Sequence, residues 1–178
     1  KVEGTNISTT LTVENGSGFV DILSDGTDGL YVLSTGTMLP VGYQDYIFEW
    51  CQSIGVKPTT GNNSPIWIFG TSTSSIYSLL SSTGFTDVGN SALFKVEYDT
   101  DNFYLKAYSS NSLNESQETN IVSVARDSTT YFRLKIVVTE QTNIKFYVNG
   151  VLEATHTTKY PDDASIAYTQ MGYGISCG

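Results

Sequence analysis

Histidine occurs once in this 178-residue chain, cysteine twice and proline four times. A Cys/His zinc centre needs four such ligands, or three and a water, at close quarters, so with only His156, Cys51 and Cys177 scattered over the chain none is expected. No C-x-x-C pair occurs. Basic residues are also scarce, nine against eighteen acidic ones, for a net charge of −9 and a pI near 4.3. They are scattered, so the chain has no basic stripe of the kind that binds nucleic acid through phosphates. With only 15% charged residues, the acidity reads as a solubility feature. No apolar run approaches 18 residues, so no helical membrane span is expected. No segment repeats apolar residues at i, i+3, i+4, i+7 between caps, so long helices are not expected either. The strongest helical candidate is a single turn at residues 76–81. No signal peptide is present and the chain begins at Lys1, which fits a processed end or, the reading preferred here, a piece of a longer chain. Cys51 and Cys177 could form one disulfide or remain two buried free thiols, and the second is the expectation.

Serine and threonine make up about a quarter of the residues, and glycine contributes 16. That composition points to an all-β protein of extracellular or virion type. The most regular stretch is 130–157. Phe132, Leu134, Ile136 and Val138 share one strand face, and Tyr131, Arg133, Lys135 and Val137 the other. Ile144, Phe146 and Val148 alternate with Lys145 and Tyr147. Asn149-Gly150 then supplies the pair that tolerates positive φ at both central hairpin positions. Leu152, Ala154 and His156 continue a third strand, so the segment reads as a meander.

Ala92, Phe94, Val96 and Tyr98 alternate with Leu93, Lys95 and Glu97. A turn at 99–102 follows, and Phe103, Leu105 and Ala107 then alternate with Tyr104, Lys106 and Tyr108. Residues 45–54 carry Tyr46, Phe48 and Trp50 opposite Ile47, Glu49 and Cys51, with both faces expected to be partly buried, as in a central strand. Further strands are expected at 5–14, twice within 16–33, and at 65–70. The stretches 56–64 and 109–117 read as exposed connections. The whole is expected to be one domain over 1–178, a two-sheet antiparallel jelly-roll sandwich with little or no helix.

The run "YFRLKIVV…NIKFYVNGVLEATHTT" resembles the concanavalin A-like lectin/glucanase jelly roll. It is most similar to the laminin-G-like variety found in phage and viral structural proteins. Tyr131–Leu134 match its "W/Y-x-R-L" strand and Phe146–Gly150 its "F-Y-V-N-G" hairpin, while "DYIFEWCQS" resembles its aromatic–apolar–Glu strand. The likeness spans roughly residues 43–176. It implies that a further strand should close the sheet after "IAYTQMGYGIS". An open edge near Gly178, filled by more chain or by a neighbouring subunit, is therefore expected.

The resemblance includes glycan hydrolases and lyases, so their chemistry needs testing. A laminarinase-type strand places paired carboxylates on one face as E-x-D-x-E. Here Glu49 stands alone between Ile47 and Cys51. A lyase needs a Tyr/His base pair, and His156, with no G-x-S-x-G or other nucleophile motif nearby, reads as a satisfied strand-end histidine. The chain is therefore expected not to be an enzyme. Calcium, which similar domains often bind, would fall to Asp99 and Asp101 by charge density, although "SDGTDG", "DTDN" and "PDD" are turn formers first. No other cofactor is expected. Sugar binding fits the 12 tyrosines, whose rings stack on pyranose C–H faces while the hydroxyl bonds to neighbours. Tyr104, Lys106 and Tyr108 with Lys145 and Tyr147 would form a glycan patch if their strands share a sheet. Trp50 and Trp67 read as core. Four Asn-x-Ser/Thr triplets, at Asn6, Asn15, Asn62 and Asn114, arise readily in so Ser/Thr-rich a chain and carry no weight.

The expected function is a structural or adhesion domain of a virion or surface appendage, with glycans or a host surface and neighbouring subunits as partners. The alternatives are a secreted carbohydrate-binding module and a divergent glycoside hydrolase or polysaccharide lyase.

Overall fold

The computed structural model describes the backbone at residues 2–5, 7–14, 17–24, 29–34, 45–54, 66–72, 80–81, 84–85, 89–98, 102–125, 130–139, 141–162 and 170–177, and side chains at 45–51, 68–72, 89–97, 102–124, 131–139 and 141–162. All described regular structure is β. In chain order the strands are β1 Val2–Thr5, β2 Ile7–Glu14, β3 Ser17–Ser24, β4 Gly29–Ser34, β5 Tyr46–Ile54, β6 Ile66–Ser72, β7 Leu80–Ser81, β8 Gly84–Phe85, β9 Ser91–Tyr98, β10 Asn102–Ser110, β11 Ser116–Ala125, β12 Thr130–Thr139, β13 Asn143–Val148, β14 Val151–His156 and β15 Gln170–Cys177. One sheet runs β1-β4-β15-β6-β9-β10-β11 and the other β14-β13-β12-β5, with two small hairpins, β2-β3 and β7-β8. All pairings are antiparallel.

The four-stranded sheet lies over one part of the seven-stranded sheet. β5 approaches β6, β12 approaches β9, and β14 approaches β11. Between them sits an apolar core that follows the period-2 pattern: Phe94, Val96, Phe103 and Leu105 meet Phe132, Leu134, Ile136, Ile144 and Phe146. Phe94 and Phe146 pack edge to face at 5.4 Å, and Phe103 and Phe132 at 6.3 Å. Each edge strand of the smaller sheet also makes a polar link across this core. Tyr46 on β5 bonds the Thr71 hydroxyl on β6 at 2.7 Å, and burial pushes its phenol up to about 12. His156 on β14 reaches β10 and β11, as described below.

The meander forms as its sequence predicts. Asn149 and Gly150 both take positive φ, 52° and 86°. The Asn149 N–H donates to the Arg133 carbonyl at 2.8 Å, and its side-chain oxygen accepts the Arg133 N–H at 2.9 Å, so the turn residue also anchors β12.

Several expectations are corrected. β5 ends the order of its sheet, so its outward residues are not covered: Ile47 is 60% exposed and Cys51 is a free, exposed thiol rather than a buried one. The Cys177 side chain and that of Trp67 lie outside the described residues, as do residues 56–64 and 76–79; Leu80–Ser81 is strand, not helical turn. Trp50 is only partly buried, stacked beside Phe48 and packed against the core. Leu152 is 48% exposed because the register shifts between Phe146 and Tyr147: Phe146 faces Ala154 while Tyr147 faces Leu152, leaving Glu153 as the extra residue of a bulge. The segment 109–117 is an exposed connection only over 112–116. Ser109 and Ser110 are buried in β10, Asn111 is buried at the turn, and β11 begins at Ser116. Nor does "QMGYGISC" border an open edge: β15 pairs with β4 on one side and β6 on the other.

Candidate functional site

The two side chains with catalytic precedent are both engaged. Glu49 projects from the outer face of β5, where the register sets it opposite Lys135, and its carboxylate accepts a hydrogen bond from Arg133 Nε. Its neighbours on that face, Ile47 and Cys51, supply no second carboxylate. His156 is fully buried at the inner end of β14. Its Nδ1 lies 2.8 Å from the Ser109 hydroxyl and its Nε2 3.0 Å from the Thr119 hydroxyl, with the Phe146 ring at 4.9 Å. Burial pushes the imidazole down to about 4, so it is neutral near pH 7. Ser109 and Thr119 belong to the opposite sheet, which makes His156 an inter-sheet link with both nitrogens occupied.

The five residues of the expected glycan patch do not come together. β10 belongs to the seven-stranded sheet and β13 to the four-stranded one, so Tyr104, Lys106 and Tyr108 lie in a different sheet from Lys145 and Tyr147.

The β10 half is closed by its own neighbours. The register puts Lys95 directly opposite Lys106, an arrangement that like charges disfavour. Glu97 and Glu118 resolve it by each bridging both lysines: Lys95–Glu97 and Lys106–Glu118 at 2.8 Å, Lys106–Glu97 at 2.5 Å, and Lys95–Glu118. Burial alone would raise the Glu97 carboxyl, but the hydrogen bonds and charges of Lys106 and Lys95 outweigh it and hold that carboxyl below its usual range. Burial would likewise lower Lys106, and Glu118 with Glu97 outweighs it and raises the ammonium. Tyr108 is 3% exposed, with the Lys95 ammonium 5.6 Å from its ring centre. The outward tyrosine and lysine read from alternation are thus a buried ring and a neutralised cation, because alternation assigns a face without saying what else occupies it.

The β13 half is half-buried but its lysine is not tied up in an ion pair, and the structure adds to it. Lys135 on β12 faces Tyr147 across the register, with its ammonium 5.5 Å from the ring centre, and Lys145 lies two residues from Tyr147 on the same face. Leu152 faces Tyr147 from the other side. Lys135, Tyr147 and Leu152 therefore form one row across three strands, with Lys145 in the next. Lys135 was legible as outward; its place beside Tyr147 required the β12–β13 register. Among the described residues, the large apolar side chains most open to solvent are Ile47, Leu113, Tyr131, Val151 and Leu152, and all but Leu113 belong to this sheet.

Asp99 and Asp101, the expected calcium ligands, lie outside the described residues, as do Asp25, Asp28 and Asp163. Asp162 accepts the Ser112 N–H at 2.9 Å. Among the described residues no three His, Cys, Asp or Glu side chains cluster closely enough to hold a metal ion.

No family model and no curated protein matches the chain. Solved structures do. A carbohydrate esterase from the Shiga toxin-encoding bacteriophage phi24B is 9% identical with a TM-score of 0.54, over 99% of this chain and 86% of that one. The carbohydrate recognition domain of Emp46p, in a metal-free form, is 15% identical with a TM-score of 0.53, over 98% and 80%. That of Emp47p is 13% identical with a TM-score of 0.51, over 97% and 80%. At such identities the likeness is one of fold, and it agrees with the two-sheet order above: the chain is a concanavalin A-like jelly-roll sandwich.

Proposed function

We propose that this chain is a non-enzymatic glycan-binding domain, used for adhesion or decoration on a virion or surface appendage. The outer face of the four-stranded sheet is its binding surface. The observation that carries this reading is the row of Lys135, Tyr147 and Leu152 with Lys145 beside it. A tyrosine ring offers a stacking surface for the apolar face of a sugar, and ammonium groups donate to its hydroxyls. All four residues sit on paired strands, so little backbone ordering accompanies binding. The resemblance to two carbohydrate recognition domains and a carbohydrate esterase supports sugars as the ligand class. The engagement of Glu49 by Arg133, and of both His156 nitrogens by hydroxyls, supports a role without catalysis.

A glycan array, followed by titration of the best ligand, tests the binding. Wild-type protein should bind at least one glycan, and Tyr147→Ala should weaken it tenfold or more. An array with no bound glycan would overturn the reading. Incubation with a polysaccharide panel tests the non-enzymatic part: product release that is lost in Glu49→Gln or His156→Ala would show that the domain is an enzyme.

A further inference from the structure

We infer that the ligand of this face is an anionic glycan, one whose sugars carry carboxylate or sulfate groups; the inference rests on the glycan-binding reading above. The argument starts from the described cations. Lys95 and Lys106 are neutralised by Glu97 and Glu118, Arg133 by Glu49, and Lys159 by Glu115. Among the described residues only Lys135 and Lys145 make no ion pair, and both stand on the outer face of the four-stranded sheet, on adjacent strands. In a chain of net charge −9, two uncompensated ammonium groups on one sheet face make a local reversal of sign. Among the described residues, Glu49 lies opposite Lys135 in the register but is bound to Arg133, and Glu153, the extra residue of the β14 bulge, makes no ion pair with either lysine.

The spacing suits one acid group. Adjacent strands lie about 4.8 Å apart and same-face neighbours on a strand about 7 Å apart. Lys135 opposite Tyr147, and Lys145 two residues along, therefore place two flexible ammonium groups around one tyrosine ring. A sugar stacked over Tyr147 and Leu152 would hold its carboxylate or sulfate between them, and charge-assisted hydrogen bonds are stronger than those to neutral hydroxyls. The seven-stranded sheet provides the contrast within the molecule. It sets Lys95 and Lys106 beside Tyr104 and Tyr108 on β9 and β10, but its ammonium groups are each bridged by two carboxylates, so an incoming anion gains nothing there.

The test uses the intact chain and two matched pairs of polysaccharides: a polyuronate with its carboxyl-reduced form, and a sulfated galactan with its desulfated form. Inorganic polyphosphate serves as an anion without sugar. Binding is followed by calorimetry or biolayer interferometry. At least one anionic member should bind tenfold or more tighter than its neutral counterpart. The double variant K135Q/K145Q should erase that difference, whereas Tyr147→Ala should weaken both members of the pair. Polyphosphate should bind more weakly than the preferred glycan. Equal binding of charged and neutral members would overturn the anionic preference and leave glycan binding standing. Binding of no member, or of polyphosphate as tightly as the best glycan, would overturn the preference together with the reading beneath it. Both variants change outer-face side chains that reach solvent, and circular dichroism confirms that each is folded.

Discussion

His156 shows how one buried side chain ties acid stability to the sandwich. Its folded-state imidazole sits at about 4, below the ordinary 6.5, because burial disfavours the cation. Near neutral pH the folded and unfolded states are both unprotonated and the link is intact. As pH falls from 6.5 toward 4 the unfolded chain gains a proton that the folded one refuses, so stability is lost across that window, by up to roughly 3 kcal/mol. Glu97 and Glu115, whose carboxyls are held low, act in the same direction but further down, below their ordinary 4.5. Urea titrations at pH 7.5 and 4.5 should show the loss, and His156→Gln, which can still bond Ser109 and Thr119, should flatten it. An unchanged slope in that variant would assign the acid sensitivity elsewhere. Gly70 is a second single-residue constraint. At φ +148° a Cβ would stand 2.3 Å from the Ala92 carbonyl oxygen and 2.9 Å from Leu93 Cα, both backbone atoms of the neighbouring strand. Gly70→Ala should destabilise by at least about 2 kcal/mol. Gly150→Ala meets no atom and should lose about 1 kcal/mol, from its left-handed backbone alone. Denaturant midpoints of the two variants compare them directly.

The β10–β11 turn shows an element specified by hydrogen bonds instead of hydrophobic period. The Asn111 side-chain oxygen accepts the N–H groups of Leu113 and Glu115 at 3.1 and 2.9 Å, and its amide donates to the Glu115 carboxylate at 3.0 Å. Lys159 pairs with that carboxylate, Asp162 takes the Ser112 N–H, and Asn90 takes the Asp162 N–H at 3.1 Å. Asn114, at φ 59°, accepts the Gly89 N–H at 2.7 Å. The turn is thereby stitched to the segment after β14 and to the start of β9. Asn111→Ala orphans two N–H groups and should destabilise by about 1–3 kcal/mol. Hydrogen exchange should locate the effect at the Leu113 and Glu115 amides; a uniform change across all strands would refute a local role. This polar network is why 109–117 reads as a loop in sequence. The same reason hides β11, whose inward side opens with Gln117 and Thr119 and so never displays a clear alternation. The meander, by contrast, was legible almost residue by residue, because its apolar positions alternate and its Asn-Gly turn leaves one conformation.

At the scale of the molecule, sequence order and spatial order diverge most at β15. The last strand in sequence is the third across its sheet, and it alone joins β4 and β1 to β6. A chain ended before Gln170 should therefore lose its cooperative unfolding transition, whereas one lacking β1, an edge strand, should keep it; calorimetry of both truncations decides. Pairing β15 with β4 closes a loop of more than a hundred residues, so folding should also be slow for a domain of this size. The sequence by itself determined the class of fold, the meander, and the inward faces of β9, β10, β12 and β13. Each of these follows from strand period, turn chemistry or residue type, which act over a few neighbouring positions. Only the tertiary structure decided which strands share a sheet. That assignment separated Tyr104 and Lys106 from Lys145 and Tyr147, buried Tyr108, set β15 between two neighbours, and brought Lys135 beside Tyr147. Side-chain alternation fixes the two faces of a strand, but long-range pairing and the packing of one sheet on the other fix what each face meets.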